Sequence, residues 1–303
     1  MMSKLISTSR NLLNPYVALS LASLFWSGNF IVGRALRDDV TPLTLNFWRW
    51  FIALLILAPV CIPAIVRQRS LVVRSWRLIV LLGITGIAAF HICVYQALRD
   101  TTAINALLFL SLTPVTIVVG SWLVYHDPVS RQQTAGIAIS LSGAVVIICH
   151  GEVVRLVTLQ FNRGDLWMLA AMLLWAIYSV ALKTKPPQLA QKSMLGAMVV
   201  VGVTAMLPVY FSVGQPAMSL LKSGTGPFFG LLYISLFASV LSYFFWNRGV
   251  NEIGPNKAGV FLHLMPLFGA VLSLLFLGEG LQLYHLAGAV LIFSGIVLSS
   301  RVQ

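Results

Sequence analysis

Charged residues are scarce in this 303-residue chain: they make up 9% of the sequence, whereas 58% of its residues are hydrophobic. Soluble domains contain about 25% charged residues, because a solvated surface requires them. Because so few charged residues cannot cover the surface of a globular protein, the composition excludes a soluble protein and indicates an integral membrane protein. Ten spans of ~20 residues each would use nearly the whole length, which leaves no room for a separate soluble domain.

Cysteines and catalytic motifs are also scarce. The three cysteines, Cys61, Cys93 and Cys149, lie singly in apolar runs, so we expect buried thiols rather than disulfides or a zinc site. The chain contains no P-loop, nucleophile triad or metal-ligand cluster. We therefore expect no metal, no cofactor and no ATPase subunit, and a protein that is not an enzyme.

The net charge of +12 does not indicate nucleic-acid binding, because the basic residues are spread between apolar segments.

The apolar runs predict an all-α integral membrane protein with ten transmembrane helices. They cover approximately 16–36, 42–66, 77–98, 102–124, 131–150, 165–183, 193–213, 226–248, 256–277 and 283–300. Thirteen Lys and Arg residues lie in the terminal tails and alternate loops, against six in the opposite loops. Because basic residues favour the cytoplasmic side, both termini are predicted to be cytoplasmic.

The two halves of the chain resemble each other. A shift of 152 residues aligns ALLFLSLTP at 106–114 with AGVFLHLMP at 258–266, and pairs Asp127 with Glu279. Each half would hold five spans, an odd number, so the second half must enter the membrane from the opposite side. We therefore predict inverted repeats at 16–150 and 165–300, joined by an outer linker at 151–164. This architecture is typical of transporters whose substrate site lies near the membrane midplane.

Three sequence segments resemble the drug/metabolite transporter superfamily, and specifically its EamA-type repeats. They are LFWSGNFIVGRAL at 24–36, NFWRW at 46–50 and YQALRDTTAINALLFLSLTPV at 95–115. Within the superfamily the chain is most similar to the YddG-type bacterial exporters of aromatic amino acids. The resemblance implies a multi-pass transporter of the bacterial inner membrane that works by alternating access.

No acidic residue lies in the interior of a predicted span. All eight are at span ends or in loops, whereas proton-coupled carriers usually have a carboxylate within the membrane. A permanently cationic drug would also lack a counter-ion. We therefore predict a neutral or zwitterionic substrate, moved by facilitated diffusion or by weak coupling through a histidine.

Aromatic and polar side chains near the predicted midplane are the candidates for substrate binding. Trp26 and Trp175 are equivalent under a shift of 149, and Asn29 and Tyr178 follow each of them by three residues, on the same helix face. The predicted cavity is lined by Trp26, Asn29, His91, Tyr95, Trp175, Tyr178, Tyr243 and His263. The alternative for the tryptophans is helix packing, and for His91 and His263 it is a hydrogen bond to a neighbouring helix.

Three further features allow two interpretations each. Arg49 could have a structural role, in which it extends to the outer surface or pairs with Asp38 or Asp39. Alternatively, it contacts a substrate carboxylate. Pro114 and Pro266 are predicted kinks, either hinges or static features of packing. Gly and Ser faces in the fifth and tenth spans fit packing within one chain, or a homodimer.

The sequence as a whole predicts export of amino acids, in particular aromatic ones. The alternatives are export of other metabolites or drugs, a lipid flippase or an intramembrane enzyme.

Overall fold

The computed structural model describes residues 14–36, 40–101, 103–152, 154–158, 161–213, 225–277 and 282–300. Every regular element in these ranges is helical, as the composition predicts. The α-helices are α1 Pro15–Ala35, α2 Pro42–Arg67, α3 Arg69–Arg74, α4 Trp76–Leu82, α5 Phe90–Asp100, α6 Ala103–Ser111, α7 Thr113–Tyr125, α8 Arg131–Ile148, α9 Val154–Val157, α10 Arg163–Leu182, α11 Gln191–Val213, α12 Thr225–Tyr233, α13 Ser242–Ile253, α14 Pro255–Gly259, α15 Leu264–Leu277 and α16 Leu283–Ser300.

Eight helical segments among the described residues are long and apolar enough to cross a membrane. They correspond to eight of the ten predicted spans. The other two predicted spans, 131–150 and 256–277, are helical in α8 and in α14–α15 but are not among these eight. The chain is therefore a multi-pass helical protein, and the number ten stays a prediction.

Two π-helices occupy equivalent positions in the two halves. Gly83–Ala89 joins α4 to α5, and Ile234–Leu241 joins α12 to α13. The shift of 152 residues superposes these ranges almost completely. A π-helix leaves backbone carbonyls without their usual partners, and the Asn46 amide Nδ2 donates to two of them, Ile87 O at 3.1 Å and Ala88 O at 3.0 Å. Hydrophobic patterning did not predict either π-helix.

The helices are interrupted close to both predicted kinks. α6 ends at Ser111 and α7 begins at Thr113, so Pro114 lies in the first turn of a new helix, where a missing N–H costs little. In the second half, a 3₁₀ turn at Val260–His263 precedes α15, and Pro266 lies in the first turn of α15. The role of these prolines as hinges stays a prediction.

Helices α8 and α16 pack closely through glycines. A Cβ on Gly136 would lie 2.7 Å from Gly295 O, and a Cβ on Gly143 would lie 2.6 Å from Gly288 O. Residue numbers rise along one helix as they fall along the other, so the helices are antiparallel. The predicted small-residue faces thus pack against each other within one chain.

Candidate functional site

A buried arginine lies at the centre of the molecule. The Arg49 side chain is completely inaccessible to solvent. Its Nε donates to Ser239 Oγ at 2.9 Å, and its Nη1 donates to Asn29 Oδ1 at 3.2 Å and to Tyr95 Oη at 2.7 Å. Tyr95 Oη in turn donates to Asn29 Oδ1 at 3.0 Å. We call Asn29, Arg49, Tyr95 and Ser239 the arginine site.

The hydrogen bonds of Arg49 do not neutralise its charge. All its partners in the described ranges are neutral, and no described carboxylate forms a salt bridge with it. Its Nη2 has no hydrogen-bond partner among the described residues. The expectation that Arg49 extends to the surface is wrong, because Asn29, Tyr95 and Ser239 hold its guanidinium inside the helix bundle. Asp38 and Asp39, the alternative partners, lie outside the described residues.

An aromatic cluster borders the arginine site and joins the two halves of the chain. Its ring centroids lie 4.7–6.2 Å from their neighbours. The Trp26 and Trp175 rings meet edge to face at 5.1 Å, and Trp50 approaches Tyr243 at 4.8 Å. The Arg49 guanidinium carbon lies 5.4 Å from the centre of the Trp50 ring, within cation–π range. The cluster consists of Trp26, Trp50, Phe90, His91, Trp175, Tyr178, Tyr243 and Trp246.

The two π-helices connect to this cluster in equivalent ways. Trp26 Nε1 donates to Ala238 O at 3.0 Å, and Tyr243 Oη donates to Gly86 O. Gly86 and Ala238 are equivalent under the shift of 152 residues, so each half supplies a π-helix carbonyl that binds an aromatic side chain of the other half. The helical irregularities thus position the central rings.

Several polar groups of the cluster have no hydrogen-bond partner among the described residues. They are the buried indole N–H groups of Trp50, Trp175 and Trp246, and the His91 Nδ1 atom. Most buried donors in proteins are paired, either with a protein group or with a water molecule. The three indole groups and Arg49 Nη2 can therefore donate to a water molecule or to a ligand with acceptor oxygens.

Asn29 of the arginine site and four rings of the aromatic cluster border a cavity of only about 20 Å³. That volume fits a single water molecule and not an amino acid. Its walls are Trp26, Asn29, Phe30, Phe90, His91, Val94, Leu110, Trp175, Leu262 and Met265. Within the described part of the chain, this cavity could admit a metabolite only if the surrounding helices moved apart.

Seven of the eight residues predicted to line the cavity belong to these two groups of side chains. The exception is His263, whose Nδ1 lies 2.7 Å from Ser140 Oγ and whose Nε2 lies 2.8 Å from Ser111 O. Both ring nitrogens are therefore occupied by neighbouring helices, which corresponds to the alternative interpretation for this residue. Sequence reasoning missed Trp50, Phe90, Ser239 and Trp246. The NFWRW motif that drew attention to Arg49 also contains Trp50.

The described residues offer no group of three His, Cys, Asp or Glu side chains that could hold a metal ion. The three cysteines are free and buried.

Comparison with known proteins decides the family. The EamA-like transporter family matches residues 13–149 and again residues 162–301. The chain belongs to the EamA-like transporter family. It is therefore a membrane transporter of the drug/metabolite superfamily, and the two matches show that the family unit occurs twice.

Several curated proteins are similar to this EamA-family chain over most of its length. The uncharacterized transporter YyaM of Bacillus subtilis (strain 168) is 25% identical over 96% of this chain and 94% of its own. A protein of Pseudomonas aeruginosa, named a probable biotin transporter, is 25% identical over 91% of this chain and 94% of its own. A protein of Streptantibioticus cattleyicolor, named a probable terminal-alkyne amino-acid exporter, is 26% identical over 94% of this chain and 92% of its own. A solved crystal structure shares the fold, with a TM-score of 0.75 and 17% identity over 94% of this chain and 96% of its own.

Proposed function

We propose that this EamA-family transporter exports amino acids, aromatic ones above all, across the bacterial inner membrane. Its termini face the cytoplasm, and the substrate carboxylate binds Arg49. The observation that carries the proposal is a buried arginine with only neutral partners among the described residues.

The energetics of a buried charge support a carboxylate ligand. Removing an ion from water costs several kcal/mol, and an opposite charge with good hydrogen-bond geometry offsets that cost. A carboxylate can accept two parallel hydrogen bonds from a guanidinium, and Arg49 Nη2 is unpaired among the described residues. A cationic substrate without a carboxylate would be repelled. Biotin and amino acids, the compounds named for two relatives, both carry a carboxylate.

The surrounding rings support an aromatic side chain on that carboxylate. Stacked and edge-to-face ring pairs contribute about 1 kcal/mol each beyond the burial of their area. Trp26, Trp175 and Tyr243 already contact one another edge to face, so a substrate ring could replace one of these contacts. Unpaired indole N–H groups would meet the substrate's oxygens.

Transport by alternating access between inverted repeats is part of the proposal. The antiparallel pairing of Gly136 with Gly295 and of Gly143 with Gly288 is the pattern that a two-fold axis produces, since each contact recurs with the halves exchanged. The equivalent π-helices and the breaks before Pro114 and Pro266 provide places where helices could bend. The closed centre would be an occluded stage of this cycle.

A second candidate substrate class is supported by the relatives. The probable biotin transporter favours export of other small carboxylates, for which Arg49 would serve equally and the aromatic rings would not select.

Efflux from proteoliposomes distinguishes the candidates. Labelled tryptophan, threonine, biotin and tryptamine, which lacks a carboxylate, are compared with and without a proton gradient. We expect saturable tryptophan efflux that exceeds that of the other three and does not respond to the gradient.

Arg49→Gln should abolish this efflux, and Arg49→Lys should restore part of it. Equal efflux of tryptamine would overturn the role of Arg49. Preference for threonine or biotin would overturn the aromatic assignment alone.

A further inference from the structure

A second, much larger hollow lies on the outside of the helix bundle, away from the closed centre. It is a groove of about 650 Å³ between α4, α7 and α10. Its walls are almost entirely apolar and include Leu81, Val115, Val119, Leu123, Leu173 and Ile177. Gly120 lines it too, and a Cβ there would lie 3.3 Å from Val180. Val119, Leu123, Leu173 and Ile177 are exposed, so within a membrane the groove faces the lipid chains.

At one end this apolar groove opens into a polar pocket of about 450 Å³. Arg77, Leu78 and Thr184 line both hollows, so the two adjoin each other. Arg74 and Ser75 complete the polar end. Neither Arg74 nor Arg77 forms a salt bridge within the described part of the chain. The polar end therefore presents two cationic groups next to an apolar channel.

The neighbouring charges leave this end positive. Asp127 is the nearest acidic group along the adjoining loop, and it accepts from both the Lys183 ammonium and Ser121 Oγ. That pair is neutral overall. The Lys185 ammonium donates to Leu189 O at 2.7 Å and to Pro186 O at 3.2 Å. Glu252, near the end of α13, is paired with Arg248 on the same helix at 2.7 Å.

An exposed tryptophan marks the depth of the polar end in the membrane. Trp76 is 57% exposed, and the Arg77 guanidinium carbon lies 5.6 Å from its ring centre. Exposed tryptophans in membrane proteins concentrate at the level of the lipid headgroups. Arg74 and Arg77 thus lie where lipid phosphates lie, and the apolar groove runs from there toward the membrane interior.

We propose that this groove is a binding site for an anionic phospholipid. One acyl chain lies along α4, α7 and α10, and the phosphate contacts Arg74 and Arg77. Charge complementarity selects an anionic headgroup, and the lipid-facing apolar walls select a molecule with a chain rather than a soluble anion. The site shares no residue with the arginine site or the aromatic cluster, so it does not depend on which substrate the transporter carries.

Lipid binding to the purified full chain tests the arginines. Native mass spectrometry would record retention of phosphatidylglycerol and phosphatidylcholine by the wild type and by the double variant Arg74→Gln/Arg77→Gln. Each basic residue near an anionic lipid strengthens binding several-fold, so the double variant should bind phosphatidylglycerol roughly ten- to thirty-fold more weakly. The control, Arg67→Gln/Arg69→Gln, removes two charges from the same region but none from either hollow. An equal loss in the control would overturn the site, because it would indicate general attraction to basic residues.

A second pair of variants tests the groove itself, and remains informative if the arginine variant does not fold. Val119→Trp should fill the groove and displace phosphatidylglycerol. Val60→Trp on α2, where the valine is 57% exposed and lines neither hollow, should have no effect. Unchanged retention in Val119→Trp would contradict the proposal. So would competition by glycerol phosphate at the concentration of the lipid, which would identify a soluble anion as the ligand.

Discussion

At the scale of single residues, the two central tryptophans occupy equivalent positions but differ in their hydrogen bonds. Trp26 Nε1 donates to Ala238 O, whereas Trp175 Nε1 has no partner among the described residues. The first indole N–H therefore has a structural role. The second is free, within the described part of the chain, to donate to a ligand at a buried position, where a hydrogen bond strongly affects binding.

Replacing each tryptophan by phenylalanine should separate these roles. Trp26→Phe leaves the Ala238 carbonyl without the indole donor, and should lower the free energy of unfolding by about 1–3 kcal/mol. Trp175→Phe removes no internal hydrogen bond and should destabilise less, while it weakens tryptophan efflux. Thermal unfolding in detergent, followed by circular dichroism, measures the first effect, and proteoliposome efflux measures the second. Equal destabilisation by both changes would show that the difference in hydrogen bonding has no energetic consequence.

The ion pair between Asp127 and Lys183 predicts a pH dependence outside the membrane. The hydrogen bond from Lys183 holds the pKa of the Asp127 carboxyl below its usual value of 3.8. A carboxyl whose pKa is lowered by folding stabilises the folded state above its usual pKa, and this contribution is lost as the pH falls through the lowered value. Asp127→Asn should therefore destabilise the protein slightly at pH 7, by about 1 kcal/mol or less. The difference in thermal unfolding between variant and wild type should disappear as the pH falls below the lowered pKa, and a difference that persists there would contradict this account.

At the scale of helices, the irregular segments define the site. Asn29, Arg49 and Tyr95 lie on regular helices, but Ser239 lies in the second π-helix, as does the carbonyl that binds Trp26. The Asn46 side chain supports the first π-helix by binding two of its carbonyls. π-helical turns are frequent at functional sites, and here they are located where the two halves meet.

The glycine contact between α8 and α16 predicts a large effect of added volume. Gly143→Leu would drive a side chain into the Gly288 carbonyl and into Ile292 and Leu291, and should cost about 1–3 kcal/mol or more. Gly269→Leu on α15 is the matched control, since a Cβ there meets nothing within 4 Å. Thermal unfolding should distinguish the two variants. A small effect at Gly143 would mean that α8 and α16 can separate without loss of stability.

At the scale of the whole molecule, the orientation in the membrane remains to be measured. The basic residues favour cytoplasmic termini and place Ser70 and Lys185 on the same side. An inverted second repeat puts Glu152, in the linker between the halves, on the opposite side. Ser70 and Glu152 are exposed, and the native cysteines are buried, so background labelling should be low.

Cysteine labelling in intact cells tests this orientation. A membrane-impermeant maleimide should label Glu152→Cys from outside, but should label Ser70→Cys and Lys185→Cys only after the cells are opened. Labelling of Ser70→Cys from outside would reverse the orientation. Labelling of Ser70→Cys and Lys185→Cys from opposite sides would contradict the predicted number of spans between them.

The fold class and most of the site could be predicted from the sequence, for different reasons. Helical membrane spans follow from long apolar runs, because a backbone in lipid must form its hydrogen bonds within each segment. Trp26, Trp175, His91 and Tyr243 could be found because polar and aromatic residues are unusual at the midplane. Ser239 and Trp246 could not, since a serine or tryptophan in an apolar run carries no local signal of its neighbours.

The sequence by itself determined that the chain is a helical membrane protein built from two related halves, because composition, periodicity and repetition are properties of the chain alone. Its resemblance to EamA-type repeats indicated a transporter. Only the tertiary structure decided the surroundings of Arg49 and His263. Both are ionisable residues in apolar helices, and the sequence allowed a structural or a functional role for each. The three-dimensional packing surrounds Arg49 with neutral partners and leaves Nη2 unpaired among the described residues, while it gives both nitrogens of His263 a partner on a neighbouring helix. Hydrogen bonds between residues 20 to 190 positions apart make this distinction, and no local pattern encodes them.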